Sequence, residues 1–187
     1  MSSAYKFRDP EALYFVTCTV IQWIDLFTRN TYRGILIDSL KYCQENKGLV
    51  IHAYCIMSNH IYLIISRKGN PTFSDIMRDF KKHTSKELIK AIKSSEESRR
   101  HWMLWIFKSA GERNYNNKDY QVWVQGSHPI QLSSTDFARQ RLNYLHNNPV
   151  KAGIVYAPEN YIYSSASAYC GRLEEALLDL DFLDFQV

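Results

Sequence analysis

The chain has 187 residues, 45% of them hydrophobic, and is long enough to fold around one sizeable core. Its net charge of +4 permits a nucleic-acid partner without requiring one. The four cysteines form no CxxC pair, the N-terminus has no apolar leader, and no apolar run approaches the ~20 residues that cross a bilayer. These features argue against a disulfide framework, a zinc knuckle and a membrane protein, so we expect a soluble, cytoplasmic protein with reduced thiols.

Residue patterns in the first third of the chain predict a strand, a helix and a hairpin. Residues 14–20 (YFVTCTV) are rich in β-branched and aromatic types, which favour a strand. Residues 30–46 carry apolar side chains at three- and four-residue spacing, which predicts an amphipathic helix that ends at Gly48. Two further strands, 49–57 and 60–66, flank a tight turn.

A second, longer helix is predicted from residue 72 to about residue 93. Its apolar positions recur at helical spacing, and its other faces are basic. A solvated surface and a phosphate-facing surface explain that basic character equally well. The residues that would contact phosphates in the second case include Lys81, Lys82 and Lys86.

The last part of the chain is less regular. Residues 102–107 are apolar and aromatic, and strand and helix cannot be told apart there. Residues 120–124 (YQVWV) predict a strand, and residues 136–147 a helix that Pro149 stops. The acidic stretch 174–184 is expected to be partly helical and to pack on the body of the protein.

No repeat, low-complexity tract or linker divides the sequence, so we expect one domain over residues 1–187, with a core of about 14–169 and a C-terminal tail of 170–187. The predicted order is strand, helix, strand, strand, helix, strand, helix. That order favours an α+β fold in which helices pack on an antiparallel β-sheet of the ferredoxin-like kind.

The stretch MSNHIYLII, residues 57–65, places a single histidine at the start of a predicted strand. Because side chains alternate along a strand, His60, Tyr62 and Ile64 share one face. A metal site would favour a second histidine at position 62. A lone histidine at a strand start is more often structural than a ligand.

The predicted helix 136–147 presents two stripes. Ala138, Leu142 and Leu145 form an apolar stripe that should face the core. Tyr144 lies on the neighbouring stripe, and Asn148 follows one turn later, where the proline after it should place it at the helix end. An ordinary, partly buried tyrosine before a helix-terminating Asn-Pro explains this pattern as well as a functional one.

Taken together and in this order, these segments resemble a known family. The runs YCIMSNHIYLII, GSHPI, YLHNNPVKAGIV and YSSASAY are similar to those of single-tyrosine HUH transposases, insertion-sequence enzymes, and within them to the REP-associated tyrosine transposases. The resemblance spans roughly residues 14–169. Its most specific part is the Asn-Pro-Val-Lys-Ala-Gly block.

The resemblance implies a function in DNA transposition and recombination. Such proteins bind single-stranded or hairpin DNA and cut it with a tyrosine hydroxyl, leaving a 5′-phosphotyrosine and a 3′-hydroxyl that can later be rejoined. It implies Tyr144 as the nucleophile and, as ligands of a divalent metal (Mg²⁺ or Mn²⁺), His60 and Asn148. Family members include monomers and homodimers. Basic residues would contact the DNA backbone: Lys81, Lys82, Lys86, Arg139 and Arg141.

Tyr62 departs from the family pattern because it stands where the second metal-binding histidine is expected. A neutral phenol is a poor ligand for a hard cation, and with a usual pKa of ~10 its phenolate is scarce at pH 7. The cation could bind through His60, Asn148 and water, or Tyr62 could act as a ligand after the metal deprotonates it. Alternatively, the chain is a non-catalytic, domesticated nucleic-acid-binding protein that lost cleavage through this change.

An RNA-binding ferredoxin-like module is a more distant alternative. The predicted strands carry no aromatic stacking motif of the RRM kind, which disfavours it.

Overall fold

A computed structural model describes residues 6–114 and 119–184 of the chain. Its sheet has four antiparallel strands in the order β2-β3-β1-β4. Along the chain, one strand–helix–strand unit is followed by another. This chain order and the spatial order of the strands are those of the ferredoxin-like fold, so the predicted α+β fold class is confirmed. The strands are β1 (Tyr14–Thr19), β2 (Leu49–Ile56), β3 (His60–Arg67) and β4 (Ile130–Gln131).

Five α-helices surround this sheet in the described part of the chain. Two of the long helices begin at a side-chain cap: the Thr72 and Ser134 side chains each accept a hydrogen bond from a backbone amide in the first turn. The helices are α1 (Asn30–Lys47), α2 (Phe73–Ser94), α3 (Arg100–Glu112), α4 (Thr135–Lys151) and α5 (Ala166–Tyr169). No helix among these residues is long and apolar enough to cross a membrane.

The two faces of the sheet are covered by different helices. Val16 and Leu63 belong to a large core shared with α1, α2 and α3. Their strand neighbours Phe15, Tyr62 and Ile64 point the other way, into a smaller core closed by α4. Strand alternation therefore assigns the predicted site residues of β3 to the α4 side of the sheet.

The structure resolves one open assignment and corrects two local predictions. Residues 102–107 lie inside α3 and are helical, which the sequence left open. Residues 120–124 form no strand: only Trp123 makes an isolated bridge, to Val20, because the segment leaves β1 after a few backbone hydrogen bonds. The short strand that completes the sheet is β4 instead.

The second correction concerns α4, which does not stop at Pro149 but runs through it to Lys151. Proline removes one intrahelical donor, but Pro149 is buried, and the next turn is closed by the amides of Ala152 and Ile154, which donate to the carbonyls of Asn148 and Pro149. Asn148 is therefore helical, and its side-chain amide donates to the Tyr144 carbonyl at 3.0 Å.

Candidate active site

His60 is held in one orientation by its neighbour Asn59. The Asn59 side-chain nitrogen donates to the Trp23 carbonyl at 3.2 Å and to Asp25 Oδ1 at 3.3 Å, so its amide oxygen must face His60. That oxygen lies 2.6 Å from His60 Nδ1, which therefore carries the proton and donates it. The lone pair of the imidazole is consequently on Nε2.

His60 Nε2 is buried and has no hydrogen-bond partner among the described residues. Burial lowers the pKa of His60 from 6.5 to about 4, so the ring is neutral at pH 7. A buried acceptor without a partner is uncommon and costs free energy, which makes it a feature to explain. A neutral imidazole with a fixed proton on Nδ1 and a free Nε2 is the form that binds metal ions.

Tyr62 and Tyr144 meet beside this histidine. The two hydroxyl oxygens are 3.0 Å apart and share a hydrogen bond. The ring centroids of His60 and Tyr62 are 4.5 Å apart, and those of Tyr62 and Tyr144 are 5.4 Å apart. The structure thus brings Tyr144 to His60 and Tyr62, although it lies 82 positions beyond Tyr62 in the sequence. Tyr62 is 8% exposed and Tyr144 is 36% exposed, so Tyr144 offers the accessible hydroxyl.

Aromatic and cationic side chains surround the Tyr62–Tyr144 pair. Phe15 packs on Tyr62 at 5.5 Å and on the edge of Tyr144 at 6.1 Å, and the Arg141 guanidinium lies 5.4 Å above the Phe15 ring. The Lys151 ammonium lies 5.5 Å from the Tyr144 ring centroid. Sequence reasoning missed Phe15 and Lys151. The seven-residue spacing of Tyr144 and Lys151, two helical turns, was a signal that could have found the lysine.

The side chains fit a divalent cation only in part. His60 Nε2 fits, and the Asn148 amide oxygen is free to bind because only its nitrogen is committed to the helix. Tyr62 does not fit: burial, and then its hydrogen bond with Tyr144, raise the pKa of its phenol and keep it neutral. No group of three His, Cys, Asp or Glu residues that could hold a metal occurs within residues 6–114 and 119–184.

A family model described as IS200-like transposase matches residues 14–110, just over half of the chain. The chain belongs to the IS200-like transposase family. The matched part includes β3 with His60 and Tyr62 but ends before α4, so the tyrosine helix is placed by the fold and not by the family model.

One solved structure is similar to this transposase-family chain over its whole length. It is the structure of a REP-associated tyrosine transposase bound to a REP hairpin, with a TM-score of 0.62 and 18% identity, and the match covers 100% of this chain and 96% of that one. At that identity the similarity shows a shared fold. No curated protein sequence matches the chain.

A second surface of this transposase-family chain is a basic groove on the α2 side of the sheet, opposite the tyrosines. The groove measures about 1640 Å³ and lies between α2 and residues 119–129. Lys82 and Lys86 line it and have no ion-pair partner in the parts of the chain that the structure describes. Further along the same helix, Lys90 lies 3.9 Å from Glu87, and Lys93 lies over the Tyr120 ring.

The remaining predicted residues have local roles. Lys81 donates to the carbonyls of Val124 and Gly126 and so fixes one wall of the groove. Arg139 forms an exposed ion pair with Asp136 at 3.5 Å, whereas Arg141 is half-buried next to the tyrosine pair. Of the predicted basic residues, Arg141 is therefore at the candidate active site, and Lys82 and Lys86 line the groove.

Proposed function

We propose that this IS200-like transposase cleaves and rejoins single-stranded DNA through a 5′-phosphotyrosine on Tyr144. One observation carries the proposal: the accessible Tyr144 hydroxyl lies 3.0 Å from the Tyr62 hydroxyl, next to the oriented imidazole of His60. The proposed nucleophile Tyr144, the buried Tyr62 that hydrogen-bonds to its oxygen, and the potential metal ligand His60 lie together on one face of the sheet.

In the cleavage step, the Tyr144 oxygen attacks phosphorus and forms a phosphotyrosine bond, while the bond from phosphorus to the 3′-oxygen breaks. The phenolic proton leaves through solvent, and the 3′-oxygen takes up one proton to become a hydroxyl. Rejoining reverses both bonds, so no nucleotide cofactor is consumed. Tyr62 retains its proton and donates it in a hydrogen bond to the Tyr144 oxygen whenever that oxygen carries negative charge. Lys151 adds positive charge beside the same ring.

A divalent cation, when bound, would polarise the scissile phosphate and offset the charge that develops there. His60 would hold it through Nε2 and Asn148 through its amide oxygen. With two protein ligands and no carboxylate, the site would leave most of the coordination sphere to water and phosphate oxygens, as Mg²⁺ tolerates.

The substrate proposed is single-stranded or hairpin DNA. The similar solved protein was bound to a REP hairpin, and this chain has a groove suited to a polyanion. Lys82, Lys86 and Lys90 follow one another at four-residue spacing, which is about 6 Å along a helix and comparable to the separation of successive phosphates on one strand. Phosphate contacts of this kind give affinity without sequence preference.

The proposal is tested with hairpin-containing single-stranded DNA and Mn²⁺. We expect a covalent protein–DNA adduct, detected as a shifted band under denaturing conditions, that Tyr144→Phe abolishes. Tyr156→Phe is a matched control because it removes the hydroxyl of a tyrosine that is fully exposed. An adduct that survives Tyr144→Phe would show that the nucleophile is another residue.

Tyr62 favours a second candidate function, a DNA-binding protein without cleavage. A phenol in place of a second imidazole removes one metal ligand and commits the Tyr144 hydroxyl to a hydrogen bond. This function predicts salt-sensitive DNA binding and no adduct with any divalent metal, so the same experiment separates the two candidates.

A further inference from the structure

Trp23 is an exposed aromatic residue that adjoins the candidate active site and that the function described above does not use. Its side chain is 66% exposed, although Ile21 and Ile24 on either side are buried. Single exposed apolar residues are common on protein surfaces and need no explanation by themselves. Three further observations distinguish this one.

The first is its backbone. Gln22 and Trp23 have φ angles of 51° and 55°, so two consecutive residues other than glycine adopt the left-handed conformation. This conformation costs roughly 1 kcal/mol or more per residue and persists only where the surrounding structure enforces it. Here the buried Ile21 and Ile24 anchor the turn from both ends, and the indole is directed into solvent as a result.

The second observation is that Trp23 and His60 are tied to the same side chain. Asn59 donates to the Trp23 carbonyl and accepts from His60 Nδ1, so one amide holds the backbone that carries the indole and sets the orientation of the imidazole. The backbone of Trp23 is therefore placed relative to the site.

The third observation is continuity. The Trp23 and His60 rings are in edge-to-face contact, with centroids 6.0 Å apart. The contacts of His60 with Tyr62 and of Tyr62 with Tyr144 continue the row. A flat, exposed ring on a fixed backbone thus stands at one end of a row of side chains whose other end is Tyr144.

We propose that Trp23 is a stacking platform for one unpaired nucleobase of the DNA strand, located within a few nucleotides of the phosphate that Tyr144 attacks. Every base has an apolar face, so the platform would tolerate any sequence while fixing the path of the strand past His60. This inference rests on the DNA-binding part of the proposed function. It adds a location for the point at which the DNA strand enters the site.

The test measures equilibrium binding of labelled single-stranded oligonucleotides in a Tyr144→Phe background, where no adduct can form. Trp23→Asn removes the ring but keeps a residue that tolerates the left-handed backbone. We expect it to weaken binding about 5- to 100-fold, the range for loss of one base–aromatic stack. The control Trp105→Ala changes an equally exposed tryptophan (68%) on α3, away from the site, and should leave binding unchanged.

A series of oligonucleotides with one abasic site at successive positions identifies the stack itself. The protein with Trp23 should lose affinity when one particular base is missing, and Trp23→Asn should be insensitive at that position. Equal sensitivity of both proteins at every position would overturn the inference. Unchanged DNA binding with altered sedimentation would also overturn it and assign Trp23 to self-association. If no oligonucleotide binds to either protein, the DNA-binding part of the proposed function fails as well.

Discussion

The hydrogen bond between Tyr62 and Tyr144 makes the chemistry of one hydroxyl depend on the other. Either phenol could donate at the 3.0 Å separation in the resting protein. Once Tyr144 loses its proton, only Tyr62 has one to give, and its buried position holds its own pKa above the usual value so that it keeps that proton. In the proposed mechanism, position 62 would therefore supply a neutral donor to the Tyr144 oxygen in place of a second imidazole.

Replacing this donor by an imidazole should create a better metal site. In Tyr62→His, two rings leave the same face of β3. We expect the variant to bind Mn²⁺ at least about tenfold more tightly than the wild type, measured by the loss of the free-ion electron paramagnetic resonance signal. Tyr62→Phe is the control and should bind no more tightly than the wild type. Equal affinities of Tyr62→His and the wild type would contradict the assignment of this position as the missing ligand.

Helix α4, which carries Tyr144, is held on the sheet by a buried hydrogen bond. His146 Nε2 lies 2.8 Å from Ser165 Oγ, and Ser165 in turn bonds to the backbone of Tyr54 in β2. Burial lowers the pKa of His146 from 6.5 to about 4. Its neutral form is thus part of the folded structure, and the position of Tyr144, the proposed nucleophile, depends on it.

This link predicts a pH-dependent contribution to stability. Below pH 6.5 the unfolded chain protonates His146 first, so the free energy of unfolding falls as the pH decreases from 6.5 to about 4 and levels off below that. The contribution is up to about 3 kcal/mol. His146→Gln should reduce the pH dependence of urea unfolding by up to that amount, whereas His101→Gln, at an exposed position of α3, should not. Identical pH profiles for His146→Gln and the wild type would refute the effect.

The spacing of apolar residues along the sequence predicted which side chains share a face of a strand or a helix. The strand period put His60 and Tyr62 on one face, and the buried stripe of α4 was visible as Ala138, Leu142 and Leu145. Contacts made by distant segments were not visible. The Tyr62–Tyr144 bond joins residues 82 positions apart, and the extension of α4 through Pro149 depends on buried packing and on amides beyond the proline.

The two candidate functional surfaces lie on opposite faces of the sheet, which constrains how DNA could be bound. The tyrosines belong to the α4 side, and the lysine groove to the α2 side. At the β2 edge, the tail covers the sheet: the Asp181 amide donates to the Ile51 carbonyl, and Gln44 donates to the Asp179 carbonyl. A DNA molecule that uses both surfaces would pass around the β4 edge or across an end of the strands, and not around the covered β2 edge.

The lysine groove gives a prediction that also identifies the form of the DNA it contacts. Removing Z phosphate contacts reduces the slope of log K against log salt by about 0.7Z for a single strand and about 0.9Z for a duplex. Lys82→Ala with Lys86→Ala should therefore weaken binding and lower the slope by about 1.4 if a single strand lies in the groove, or about 1.8 if a hairpin stem does. Lys41→Ala with Lys108→Ala removes the same charge at exposed positions of α1 and α3 and should leave the slope unchanged. Equal slopes for the two double variants would show that the groove does not contact the DNA, because net charge alone would then explain the salt dependence.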